Sequence, residues 1–320
     1  MKSILYPQSS STKLRLHVDT LHQLYIEVSG NPLGIPVVFL HGGPGSSCNE
    51  NHRRYFNPNY YYIITFDQRG CGMSTPKGEL ADNTSQHLVN DLERIREHFN
   101  IDQWLIFGGS WGACLGLLYA QAFPKRVSGI ILRGCFLARE KDLLWFTQHG
   151  ASEVFPEEWQ LFIQDIPESE RSDLVAAFYT RLHHGDHATQ LKYAAIWADW
   201  SSKVATHNLS ASSSKHKPDD ALILKVKIET HYAFHRYFIE ENQILNRIAA
   251  LPPVPVTIIH GELDQTCLLS ASRQLAANIP NCNLLVLPDT GHLIEELKMI
   301  EALVAATDQF ITTYKDSTTK

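Results

Sequence analysis

Long apolar runs are missing from this chain of 320 residues: no window approaches the ~20 apolar residues that a membrane-spanning helix requires, which argues against an integral helical membrane protein. Clustered cations are missing as well. The 28 Lys and Arg residues are outnumbered by 34 Asp and Glu, leaving a formal net charge of −6, and no basic stripe is present to neutralise a phosphate backbone, so nucleic acid is not the expected partner. Cysteine is scarce and scattered. Cys48, Cys71, Cys114, Cys135, Cys267 and Cys282 lack the close pairing of a zinc ribbon or a disulfide scaffold and are expected to be reduced thiols. Only Ile4, Leu5 and Tyr6 are apolar before the polar stretch from Pro7 to Thr12, too few for the core of a secretion signal. The expected location is the cytoplasm.

What is present is an ample core. Hydrophobic residues make up 44% of the chain and charged ones 19%, an ordinary globular balance, and the length suggests one large domain with an insertion, or two domains. Two alternating runs, KLRLHVD and QLYIEVS, predict an antiparallel hairpin. Six short continuous apolar runs follow: Val37 to His41, Tyr61 to Asp67, Trp104 to Gly108, Val127 to Gly134, Val254 to Gly261 and Asn283 to Asp289. These read as fully buried strands. Helix-period segments such as SQHLVNDLERIREHF and ACLGLLYAQAFP lie between several of them, which predicts an α/β fold with a mostly parallel sheet and helices on both faces.

That rhythm stops between residues 138 and 246, where helical periodicity in PEEWQLFIQDI, SDLVAAFYTRL and LILKVKIETHYAFHRYF is unaccompanied by a buried strand. The expectation is a helical insertion, with residues 1–137 and 247–320 forming the core, and a mobile polar loop over about 202–220.

The stretch IFGGSWGAC places Gly108, Gly109, Ser110, Trp111 and Gly112 in the pattern G-x-S-x-G, between a predicted strand and a predicted helix. On such a sharp turn small neighbours are needed, the serine hydroxyl is lifted above the sheet edge, and the helix N-terminus offers free N–H groups to a developing oxyanion. Serine is a weak nucleophile, so a base and a group that orients the base are required. Asp264, in HGELDQTC, and His292, in PDTGHLIEE, follow later strands in the chain order associated with this turn. The loop HGGPGSS, His41 to Ser47, is suited to supply a second oxyanion donor; Gly43 N–H and Trp111 N–H are assigned to that hole. No metal or cofactor is expected. The histidines in HHGDH and the pair His231 and His235 lack a third ligand at convincing spacing.

HGGPG, DQRGCGMS, GGSWGACLGLLYAQAFP, LRGCFLAR, KIETHY and the closing TGH together resemble the proline iminopeptidases, or prolyl aminopeptidases, from about residue 15 to residue 310. The resemblance implies an α/β-hydrolase fold with a helical cap and a serine exopeptidase that releases N-terminal proline from peptides without cofactor or metal. It also implies that Glu229 reads the free N-terminal amine, and that Phe136 and Cys267 line the proline pocket. Three departures stand out. Ser201 occupies the place of a second family carboxylate, with Glu240 or Glu241 as candidate substitutes; Ala233 stands where the family carries Phe, implying a wider pocket; and Met73 replaces an Arg. The implied partner is a peptide with a free N-terminus, and the chain is compatible with a homo-oligomer. An esterase or broader amidase with a relaxed cap, and a catalytically silent binding protein of the same fold, are the alternatives the residues leave open.

Overall fold

The computed structural model describes residues 4–206 and 218–318. Its strands are β1 (Ser11–His17), β2 (Gln23–Gly30), β3 (Ile35–Leu40), β4 (Tyr61–Phe66), β5 (Trp104–Ser110), β6 (Val127–Cys135), β7 (Val256–Gly261) and β8 (Asn283–Leu287). The helices are α1 (Ser85–His98), α2 (Trp111–Ala122), α3 (Glu140–Thr147), α4 (Ala151–Val154), α5 (Pro156–Ile163), α6 (Leu174–His184), α7 (His187–Ala205), α8 (Asp220–Phe234), α9 (Gln243–Asn246), α10 (Leu269–Asn278) and α11 (Leu297–Thr318).

The eight strands form one sheet in the order β1-β2-β4-β3-β5-β6-β7-β8. β1, β2 and β4 pair antiparallel, and every pairing from β4 through β8 is parallel. Alternation survives inside the continuous apolar runs. Val38, Leu40 and Ile106 face one layer, with Leu92 of α1, Leu117 of α2 and Leu275 of α10, whereas Val37, Phe39 and Phe107 face the other, with Leu303 and Phe310 of α11. β8 departs from the fully buried strand expected for NLLVLPD. It closes the sheet as an edge, so Asn283 and Leu285 are exposed and Leu287 alone is buried.

Between β6 and β7 the elements among the described residues are helices α3 to α9 and short 3₁₀ turns. Part of this segment has an apolar cluster of its own, in which Phe162 stacks on Phe178 at 4.6 Å and Trp197 and Trp200 pack alongside. Trp145 Nε1 donates to the Gln265 carbonyl at 2.8 Å, tying α3 to the loop after β7. α7 continues to Ala205, past the residue 202 from which a polar loop is expected. α8 then starts at Asp220 behind the Asp219 cap, and residues 207–217 of the expected loop lie outside the described residues. Among the described residues, no helix is long and apolar enough to cross a membrane.

Candidate active site

The chain direction places the site. After β3 the next strand, β4, is laid on one side, and β5 returns to the other, so the sheet has its switch point between β3 and β5, where a crevice opens at the carboxyl ends. Leu40 and Gly108 are in register across it, so the HGGPG loop and the GGSWG turn leave the sheet side by side. A Cβ at Gly112 would run into the Leu40 carbonyl, and one at Gly108 into Gly112, which is why this junction tolerates no larger residue. Ser110 itself sits at φ 57°, ψ −124°, a conformation that costs a non-glycine residue about 1–3 kcal/mol and points its side chain out of the turn.

Asp264 and His292 come from the loops after β7 and β8. His292 Nδ1 lies 2.7 Å from Asp264 Oδ2. The other Asp264 oxygen accepts the backbone N–H groups of Thr266 and Cys267 at 2.9 and 2.8 Å. Burial raises the carboxyl's pKa, but the charge and hydrogen bond of His292, with smaller help from His260 and the Cys267 amide, outweigh it and leave the group below the ordinary carboxylate range. Gly134, at φ +49°, passes directly beneath: a Cβ there would lie 3.1 Å from Asp264 Oδ2 and 3.4 Å from His292 Nδ1. The His292 segment is pinned on both sides, since the N–H groups of Gly291 and Leu293 donate to Glu296 and Arg133 Nη1 donates to the His292 carbonyl.

Ser110 Oγ is turned toward Cys267 Sγ, at 3.7 Å, and makes no hydrogen bond to His292. Cys267 is buried, and burial first and Asp264 second push its thiol pKa well up, so it rests as a neutral thiol against the hydroxyl. Cys71, also buried, is not in the cavity wall; its thiol donates to the Arg69 carbonyl at 3.3 Å.

The loop carrying Gly43 is held by side chains that the sequence motifs contain but whose role they do not disclose. Gln68, in DQRGCG, donates through Nε2 to the His41 carbonyl at 3.0 Å and accepts from Trp111 Nε1 at 2.9 Å. One buried amide thus ties the β3 loop to the start of α2. Gly43 has φ +114°, and Trp111 heads α2 fully buried, its first-turn N–H groups free of intrahelical partners.

A cavity of about 390 Å³ opens above Ser110, a volume typical of small-molecule sites. Its wall includes Gly43, Ser110, Phe136, Glu229, Cys267 and His292. Every expected site residue except the wholly buried Trp111 therefore borders it or, in the case of Asp264, is bonded to a residue that does. Glu229 Oε2 accepts from Trp197 Nε1 at 2.8 Å, and Oε1 lies 3.5 Å from Lys225 Nζ. Ser201 is also in the wall, its hydroxyl spent on the Trp197 carbonyl at 2.9 Å. Ala233 is not in the wall, whereas Tyr237, edge-on to Phe136 at 4.9 Å, lines the cavity. Glu240 and Glu241 do not border it either. The second carboxylate in the wall is Asp142, bound by Arg139 at 2.6 and 2.8 Å, which sequence spacing gave no reason to single out.

A family model described as alpha/beta hydrolase fold matches residues 35–298. A probable proline iminopeptidase of Leptolyngbya boryana is 43% identical over 298 residues, covering 92% of this chain and 93% of that protein. The proline iminopeptidase of Xylella fastidiosa strain 9a5c is 43% identical over 92% of this chain and 95% of its own length. The chain belongs to the proline iminopeptidase family of α/β-hydrolases. Within that family the likeness reaches plants, with the Arabidopsis thaliana proline iminopeptidase 39% identical over 92% of this chain and 78% of that protein. Among solved structures, a Mycobacterium smegmatis proline iminopeptidase superposes with TM-score 0.59 at 18% identity, covering 96% of this chain and 100% of that one. An esterase from Rhodococcus sp. ECU1013 scores 0.59 at 18% identity over 95% and 99% of the two chains, so these superpositions carry the fold and not the substrate.

Proposed function

We propose that this proline iminopeptidase homologue is a serine aminopeptidase that releases an N-terminal proline, or a related small residue, through an acyl-enzyme. The observation that carries the reading is a single cavity bordered by Ser110, His292 and the carboxylate of Glu229. In the reaction Ser110 Oγ attacks the carbonyl carbon of the first residue while His292 Nε2 takes its proton. Asp264 holds the other ring nitrogen and stabilises the imidazolium. The tetrahedral oxyanion is received by the N–H groups of Gly43 and Trp111. His292 then returns the proton to the departing amine nitrogen, the C–N bond breaks, and a water activated by the same imidazole hydrolyses the ester. Glu229, oriented by Trp197 Nε1, binds the substrate's ammonium, in competition with Lys225.

That competition, together with Ser201 in place of a carboxylate, is what favours the second reading, an esterase or broader amidase less dependent on the amine. Six free thiols fit work in a reducing compartment such as the cytoplasm. The deciding experiment compares prolyl anilide, its N-acetyl form, alanyl anilide and a simple acetate ester, with Ser110→Ala as the blank. Preference for unblocked prolyl anilide, abolished in Ser110→Ala at unchanged melting temperature, is the expected result. Ester turnover indifferent to the amine would replace the aminopeptidase with the second reading, and turnover surviving in Ser110→Ala would overturn the nucleophile.

A further inference from the structure

Ser110, Gly43 and His292 border a second chamber, of about 270 Å³, that lies away from the cap helices and shares none of their residues. Its wall comes from the β3 loop, the 3₁₀ turn Glu50–Tyr55 and the strand ends, and contains no Asp or Glu. Arg133 is in this wall and not in that of the larger cavity.

Arg133 is unlike the other buried arginines. Arg69 is bound by Asp91 and Asp19, Arg96 by Glu93 and Arg139 by Asp142. Arg133 is 8% exposed and pairs with no carboxylate among the described residues; Nη1 donates to the His292 carbonyl, while Nε is buried without a partner. A Cβ at Gly109 would lie 2.6 Å from both Nε and Nη2, so the guanidinium lies flat against the backbone just before Ser110. Burying a cation without a carboxylate partner costs desolvation that a single hydrogen bond to a carbonyl offsets only in part. His52, on the far wall, stacks on Phe39 at 4.3 Å and is held neutral at pH 7, its pKa pushed down to about 4 by burial, with His41 and Arg133 adding to the effect. It brings no second charge.

The two chambers meeting at Ser110 therefore differ in charge: Glu229, Asp142 and Lys225 border one, whereas Arg133, with no carboxylate in the same wall, borders the other. The acyl residue lies with Glu229, and the leaving amine must lie beside His292, which protonates it. We infer that the second chamber receives the leaving residue and that Arg133 binds its free carboxylate, so the preferred substrate is a dipeptide zwitterion held at both ends. This rests on the aminopeptidase reading and names its substrate more closely.

The test compares kcat/KM for prolyl-glycine and prolyl-glycinamide, with prolyl anilide as reference. The wild-type enzyme should favour the acid over the amide by about tenfold or more, the worth of a charge-assisted hydrogen bond. Arg133→Gln should bring that ratio to about one, whatever it does to both rates by releasing the His292 carbonyl. A wild-type ratio near one, or an unchanged ratio in folded Arg133→Gln, overturns the inference. Should Arg133→Gln not fold, Arg133→Lys decides: a ratio cut severalfold supports the assignment and a wild-type ratio rejects it. Absence of prolyl anilide turnover by the wild-type enzyme would instead strike the aminopeptidase reading itself.

Discussion

At position 134 the absence of a Cβ leaves the hydrogen bond between Asp264 and His292 unstrained. The backbone there is left-handed, and a Cβ would press on Asp264 Oδ2 and the imidazole together. Gly134→Ala should lower kcat severalfold, because Asp264 and His292 must give by a few tenths of an ångström and alanine must hold a left-handed backbone, while circular dichroism stays native. Full activity in that variant would show the pair to be less tightly seated. Gln68 is the complementary case, a residue whose removal leaves partners stranded. Gln68→Leu would orphan Trp111 Nε1 and the His41 carbonyl, and chemical denaturation should register a loss of about 1–3 kcal/mol together with slower turnover. The chain's own pattern exposed Ser110, Asp264 and His292, because serine in a glycine-rich turn and the order of the three have local signatures. Gln68, Asp142 and Arg133 have none; each matters through a residue at least three and as many as 159 positions away.

At the scale of elements, the strand periodicity was legible and the burial of each strand was not. NLLVLPD has the composition of a central strand, yet β8 is an edge, since position in the sheet depends on which strand docks beside it. Helix α8 shows the same division. Its periodicity is plain, but that its Lys225 and Glu229 come down on the β3 loop, where a Cβ at Gly45 would lie 2.7 Å from the Lys225 carbonyl, is a matter of how helices α6, α7 and α8 pack together. Trp197 of α7 orients Glu229 of α8 across that packing. Trp197→Phe keeps the apolar contacts and deletes the indole N–H, so KM for prolyl anilide should rise several-fold with kcat little changed, and turnover of an acetate ester should not move. An equal loss on both substrates would make Trp197 a packing residue alone.

For the molecule as a whole, acid is the expected weakness. His52 and His231 are buried and His183 is half-buried, and loss of solvent above all holds each at a pKa of about 4 against an ordinary 6.5. Between those values the unfolded chain binds more protons than the native one, so stability falls as pH drops from about 6.5 through 4. Asp264, whose folded pKa is depressed, acts in the same sense at still lower pH. Melting temperatures taken at about pH 7 and pH 4.5 should differ clearly, and His52→Asn should reduce the difference. A flat profile would mean that the histidines are solvated in the native state.

The order of strands and helices, the serine turn and the chain order of Ser110, Asp264 and His292 follow from local rules of turn geometry and burial, and the sequence by itself determined them. The walls of the two chambers, the neutralising partners of Glu229 and Asp142, the exclusion of Ala233 and Glu241, and the solitary charge of Arg133 were decided by tertiary structure. The physical reason is that a pocket is made of side chains brought together from distant strands and helices, and its electrostatics depend on which charges are left without partners once those elements have packed.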